Sequence, residues 1–75
     1  MNATRNLVET IRARTLIRAA GATIRRSAGL SLRDVAMVLD VSQSTVLRWE
    51  NGARVPRPRH ARDYAELLED IAGAR

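Results

Sequence analysis

The sequence contains no cysteine, no lysine and no phenylalanine, and only one histidine, His60. Without cysteine there is no disulfide scaffold and no thiolate metal site. A single histidine cannot build a metal centre by itself. Glu69-Asp70 is a lone pair of adjacent carboxylates on a charged segment, and no glycine-rich phosphate loop is present. An enzyme reading fails on this inventory, and no cofactor, metal or small-molecule ligand is expected. Aromatic residues are reduced to Trp49 and Tyr64, and proline to Pro56 and Pro58. No apolar run is long enough to span a membrane or to form the core of a signal peptide, so the chain is expected in the cytoplasm.

What remains is a 75-residue chain with 45% hydrophobic residues, expected to form a single domain. A domain this short buries only about 60% of the surface its unfolded chain exposes, which makes for marginal stability. The formal net charge is +5, and every basic residue is arginine. Arginine's planar fork holds phosphate and guanine edges bidentately, as an ammonium cannot. Residues 1–33 carry seven Arg against Glu9, and Arg54 to Arg62 adds four more basic residues. The segment from Asp34 to Glu50 nets −2 and that from Asp63 to Asp70 nets −4. Basic blocks flank a nearly neutral centre. Nucleic acid is therefore the leading partner class, ahead of a membrane surface or an acidic protein.

No strand pattern appears, so the fold is expected to be all-α, a small bundle of four to five helices. Asn6 and Glu9 have capping-box spacing. Ala13, Ile17, Ala20, Ile24 and Ala28 then recur at helical steps up to Gly29, which suits a left-handed cap. Residues 4–28 read equally as one helix or two. Arg14, Arg18 and Arg25 fall together on another face and read as a solvated stripe. Ser31 with Asp34 resembles a second capping box, followed by an apolar face of Leu32, Val35, Ala36 and Leu39. Ser42 starts a further helix that runs through Asn51 to Gly52. Arg54 to Pro58 is expected to be extended, because each residue before proline is pushed out of the α region. In the last helix Ala61, Tyr64, Leu67, Leu68 and Ile71 share one side.

Two short helices joined by a tight turn, with small Ala36 at the crossing and Val41 after the turn, describe a helix-turn-helix at residues 31–52. If Val46 and Trp49 face inward, then Gln43, Ser44, Leu47 and Arg48 face outward. A polar row on the N-terminal half of such a helix is what reading base edges in a major groove requires. Leu47 suits a thymine methyl or a return contact with the last helix. Arg54, Arg57 and Arg59, around the two prolines, fit either a backbone-gripping arm or a solvated linker. His60 reads as a surface residue.

The run from Gly29 to Pro56, GLSLRDVAMVLDVSQSTVLRWENGARVP, resembles the phage-repressor and Cro-like, or xenobiotic-response-element (XRE), helix-turn-helix family. The likeness is carried by Leu30-Ser31, Val35-Ala36, Leu39, Val41-Ser42, Val46, Trp49-Glu50, Gly52, Arg54 and Pro56. It extends over about residues 17–72, with residues 1–16 as an N-terminal helical extension. The resemblance implies double-stranded DNA as partner, with Gln43, Ser44 and Arg48 reading bases and Thr45, Asn51 and Arg54 holding phosphates. Asp40 stands where the family usually has glycine. Leu32 stands where it often has a phosphate-binding Gln, so that contact is either lost or taken over by Arg33.

The reading is a sequence-specific transcription regulator, a repressor or Cro-like protein of a phage or mobile element. The alternative is an interaction module such as an antitoxin or antirepressor, since fold alone does not fix function. Two copies on one operator are expected, joined through Leu7, Val8 and Ile11 or through Tyr64, Leu67 and Leu68.

Overall fold

The computed structural model describes residues 3–73, and every regular element among them is helical. Helix α1 (Ala3–Leu16) runs through a π turn (Ile17–Gly21) directly into α2 (Ala22–Ser27). The backbone stays right-handed at both junctions, with Leu16 at φ −60°, ψ −47° and Ala22 at φ −63°, ψ −41°. The N-terminal third is thus one continuous rod. Helices α3 (Leu32–Leu39), α4 (Gln43–Glu50) and α5 (Pro58–Gly73) follow.

The π turn changes which face of the rod is packed. Ala13, Ile17, Gly21 and Arg25 are buried, four residues apart each time. At about 100° per residue, each four-residue step overshoots a full turn by about 40°. A turn closed by i→i+5 bonds holds more residues and takes back part of that drift. The buried line therefore reaches Arg25. The expected apolar line ends differently, with Ala20 and Ile24 only half-buried and Ala28 exposed. Asn6 is not a cap, because the helix already covers it. Its carbonyl accepts from the Thr10 hydroxyl at 2.9 Å, while Glu9 accepts from Arg5 Nε at 3.3 Å.

Two turns of the same design follow. Gly29, at φ 75°, lets Leu30 N–H reach the Arg25 carbonyl at 3.0 Å and its own N–H reach Arg26 at 2.9 Å. These are the paired bonds that close a helix on a left-handed residue. After α3 the pattern repeats with Asp40 in glycine's place, at φ 57°, and Val41 N–H bonds to the Ala36 carbonyl at 3.0 Å. Between the two turns, Ser31 and Asp34 form a reciprocal capping box with bonds of 3.0 and 2.8 Å. The bond it accepts from the Ser31 backbone N–H, with a smaller contribution from the Ser31 hydroxyl, holds the Asp34 carboxyl below the usual carboxylate range.

One core lies between the rod, the α3–α4 pair and α5. Its largest fully buried side chains are Tyr64, Ile17, Leu68, Val35 and Val46. Tyr64 and Leu68 therefore cannot serve as a dimer surface, and Leu67 is partly buried against the same core. Leu7, Val8 and Ile11 remain exposed on the surface of α1.

Asp40 bears a left-handed conformation that costs non-glycine residues roughly 1–2 kcal/mol, somewhat less for Asp. Asp40→Gly is expected to raise the unfolding free energy by about 1 kcal/mol. That corresponds to a rise of roughly 4–8 °C in Tm for a domain of this size. Thermal unfolding followed by circular dichroism checks this, and an unchanged or lower Tm contradicts it.

Candidate nucleic-acid interface

Ser42 sets the start of α4. Its extended backbone (φ −79°, ψ 155°) turns its hydroxyl onto the Thr45 N–H at 3.1 Å, and Ser42 Oγ lies 2.7 Å from Thr45 Oγ1. From that start, helical spacing turns Val46, Trp49 and Glu50 inward and leaves Gln43, Ser44, Arg48 and Asn51 exposed. Thr45 is half-buried on one flank. Leu47 is 44% exposed.

The end of α4 is fixed by a buried charge. Glu50 accepts from Arg25 Nε at 2.8 Å and Nη2 at 3.0 Å, and from the Tyr64 hydroxyl at 2.5 Å. Arg25 Nη1 donates to the Leu30 carbonyl at 3.0 Å. Arg25 is therefore not part of a solvated stripe. It is buried, and the charge-assisted bond to Glu50 raises its pKa further. Tyr64 is pushed well above the ordinary tyrosine range, first by burial and then by donating to Glu50. Every buried side-chain polar atom among the described residues has a partner, so the network is closed. Four elements meet in it: α2, the loop at Leu30, α4 and α5.

A family model described as helix-turn-helix matches residues 22–71, from the start of α2 into the last turns of α5. The chain belongs to the XRE helix-turn-helix family. It is a DNA-binding helix-turn-helix regulator. No curated protein and no solved structure matches it. In XRE terms α3 is the first helix of the helix-turn-helix and α4 the second, with Asp40 in the turn.

Around the second helix of this XRE motif the remaining candidate residues fall on two flanks. On one side, Arg33 lines a groove with Asp40, Ser42 and Gln43. On the other, Thr45, Arg54, Arg57 and His60 line a groove beside Trp49. Arg33, Arg48, Arg54 and Arg57 are exposed and make no ion pair among the described residues. Arg59 does not belong with them. Pro58 opens α5, which suits a residue lacking an N–H, and Arg59 then sits one turn from Asp63 at 3.9 Å. Asn51 Oδ1 accepts from the Ala53 N–H at 2.9 Å, which shapes the exit from α4 and leaves the amide NH₂ free to donate.

Three further residues differ from expectation. His60 is half-buried, its ring 5.4 Å from that of Trp49. Arg14 and Arg18 turn toward the loop after α4. Arg14 Nε donates to the Pro56 carbonyl at 2.9 Å, and Arg18 lies over Gly52, where any side chain would run into its Nε. Neither contact has a local signature, since the partners are 42 and 34 positions apart.

Because Tyr64 ionises less readily folded than unfolded, its contribution to stability is complete below about pH 10, the unfolded value, and falls as pH rises above it. Tyr64 is the only tyrosine, so tyrosinate absorbance reports on it alone. Tyrosinate is expected to appear together with unfolding, well above pH 10. Ionisation near about pH 10 in the still-folded protein contradicts the placement of Tyr64.

Proposed function

We propose that this protein is a sequence-specific repressor of double-stranded DNA that lays α4 in the major groove of its operator. The observation that carries the reading is the division of α4 into two faces. Val46, Trp49 and Glu50 are consumed by the core, while Gln43, Ser44, Leu47 and Arg48 are exposed on the opposite side. Gln is suited to adenine, Arg to guanine, Ser to either, and an exposed Leu to the thymine methyl. Gln43 and Arg48 accordingly specify sequence.

A helix in a major groove has a phosphate backbone on either side. Arg33 stands on one flank of α4, and Thr45, Arg54 and Arg57 on the other. With Asn51 at the helix end, these residues position α4 without reading sequence. A protein seated this way over a promoter excludes polymerase by occupancy, which is the mode of a Cro-like repressor of a phage or mobile element. Two copies share the operator, joined through the exposed Leu7, Val8 and Ile11 of α1, with half-sites about 34–36 Å apart.

The test is a footprint on the DNA flanking the protein's own gene, repeated with Gln43→Ala and Arg48→Ala. Wild-type protein protects two symmetric half-sites. Each variant loses about 1–3 kcal/mol of affinity and relaxes preference at one or two base pairs. Wild-type affinity in both variants contradicts the assignment of α4. Binding that is insensitive to salt points instead to a protein-interaction module.

A further inference from the structure

We propose that the N-terminal rod carries a phosphate contact of its own, made by Arg18, which extends the DNA-binding surface beyond the recognition helix and the loop after it. The inference rests on the DNA-binding reading above. Arg18 lies outside residues 22–71, the part of the chain that matches the family.

Three observations lead to it. The first is a groove of ≈580 Å³ between the π-turn region of the rod and the loop after α4. Its floor and walls are apolar, from Ala19, Trp49, Val55 and Pro56, and its polar lining includes Arg14, Arg18 and Arg54. No carboxylate lines it. The second is that Arg18 and Arg54 are exposed and make no ion pair among the described residues. Unneutralised guanidiniums gathered in one concavity repel one another and favour an anion that offers several acceptor oxygens. The third is continuity. This groove shares Trp49, Arg54 and Val55 with the neighbouring groove that holds Thr45 and Arg57. The basic track therefore runs from the flank of α4, past Arg54, to Arg18.

The ligand that fits an open, elongated basic track is a run of phosphodiesters. Arg18 makes the contact, and Gly52 is what lets it. With φ +80° and no Cβ, Gly52 leaves room for the Arg18 stem to lie across the end of α4. Arg14 is a positioning residue. Its bond to the Pro56 carbonyl holds the loop that carries Arg54 against the rod.

The probe is a random-sequence 30-base-pair duplex (about three helical turns), since phosphate contacts are blind to sequence. Its affinity is measured across a salt series for the wild type, Arg18→Gln and Arg26→Gln. Gln keeps most of the stem over Gly52, and thermal unfolding confirms that each variant is folded. Arg26 is exposed on the same rod, outside both grooves, so its variant controls for net charge. Arg18→Gln is expected to reduce the slope of log K against log salt by about 0.9, one released counterion, while Arg26→Gln leaves it unchanged. A wild-type slope in Arg18→Gln overturns the proposal and leaves the DNA-binding reading intact. So does an equal loss in both variants, which is a net-charge effect. If the wild type itself shows no salt-dependent binding, the DNA-binding reading fails and this contact fails with it. Arg18→Lys, which keeps the charge, restores the slope.

Discussion

The fold depends on one buried carboxylate. Taking Glu50 and Arg25 out of water costs several kcal/mol per ion, and their attraction offsets this only when the geometry is good and the remaining donors and acceptors are satisfied. Both conditions hold. The guanidinium approaches Glu50 with two nitrogens, Tyr64 supplies a third donor, and the Leu30 carbonyl takes another Arg25 N–H. Such a network tolerates little displacement of any member, because a shifted helix leaves a charge unpaired in a low-dielectric interior. The last residue of α4 is thereby tied to α2 and α5.

This constraint also explains the free face of α4. Ser42 and Thr45 set where α4 begins, and Glu50 sets where it ends. With both ends fixed and Val46 and Trp49 packed between them, the rotation of the helix is determined. The outward row of Gln43, Ser44, Leu47 and Arg48 is the geometric complement of that packing. Charge follows the same division. Among the described residues the one buried arginine is neutralised by Glu50, whereas the arginines on both flanks of α4 have no carboxylate partner.

Much of this is written locally in the chain. Ser31 with Asp34, Ser42 before a polar helix, Gly29 and the unusual Asp40 each mark a helix end through chemistry that acts over a few residues. The alternation of Val46 and Trp49 with polar neighbours marks the two faces of α4. Effects acting over long separations are not legible in this way. The π turn redirects the packed face of the rod, so Arg25 goes inward although its spacing groups it with Arg14 and Arg18. Its partner lies 25 positions away, and nothing near Glu50 announces a buried carboxylate. The same holds for Arg14 on Pro56, for Arg18 over Gly52, and for His60 against Trp49, all of which depend on how the rod and α5 come together with α4 and the loop after it. The Asn6–Glu9 spacing shows the opposite failure, since a capping pattern inside a longer helix caps nothing.

The most direct test of this account compares Glu50→Leu alone with the triple variant Arg25→Met, Glu50→Leu, Tyr64→Phe, both by urea unfolding. The single change strands the Arg25 charge and the Tyr64 hydroxyl, so it should cost about 3–5 kcal/mol, enough to unfold a marginal domain. The triple variant removes every group that needed the carboxylate and should recover most of that loss. A folded Glu50→Leu within about 1 kcal/mol of the wild type, or a triple variant no more stable than the single, contradicts the claim that this network fixes α4.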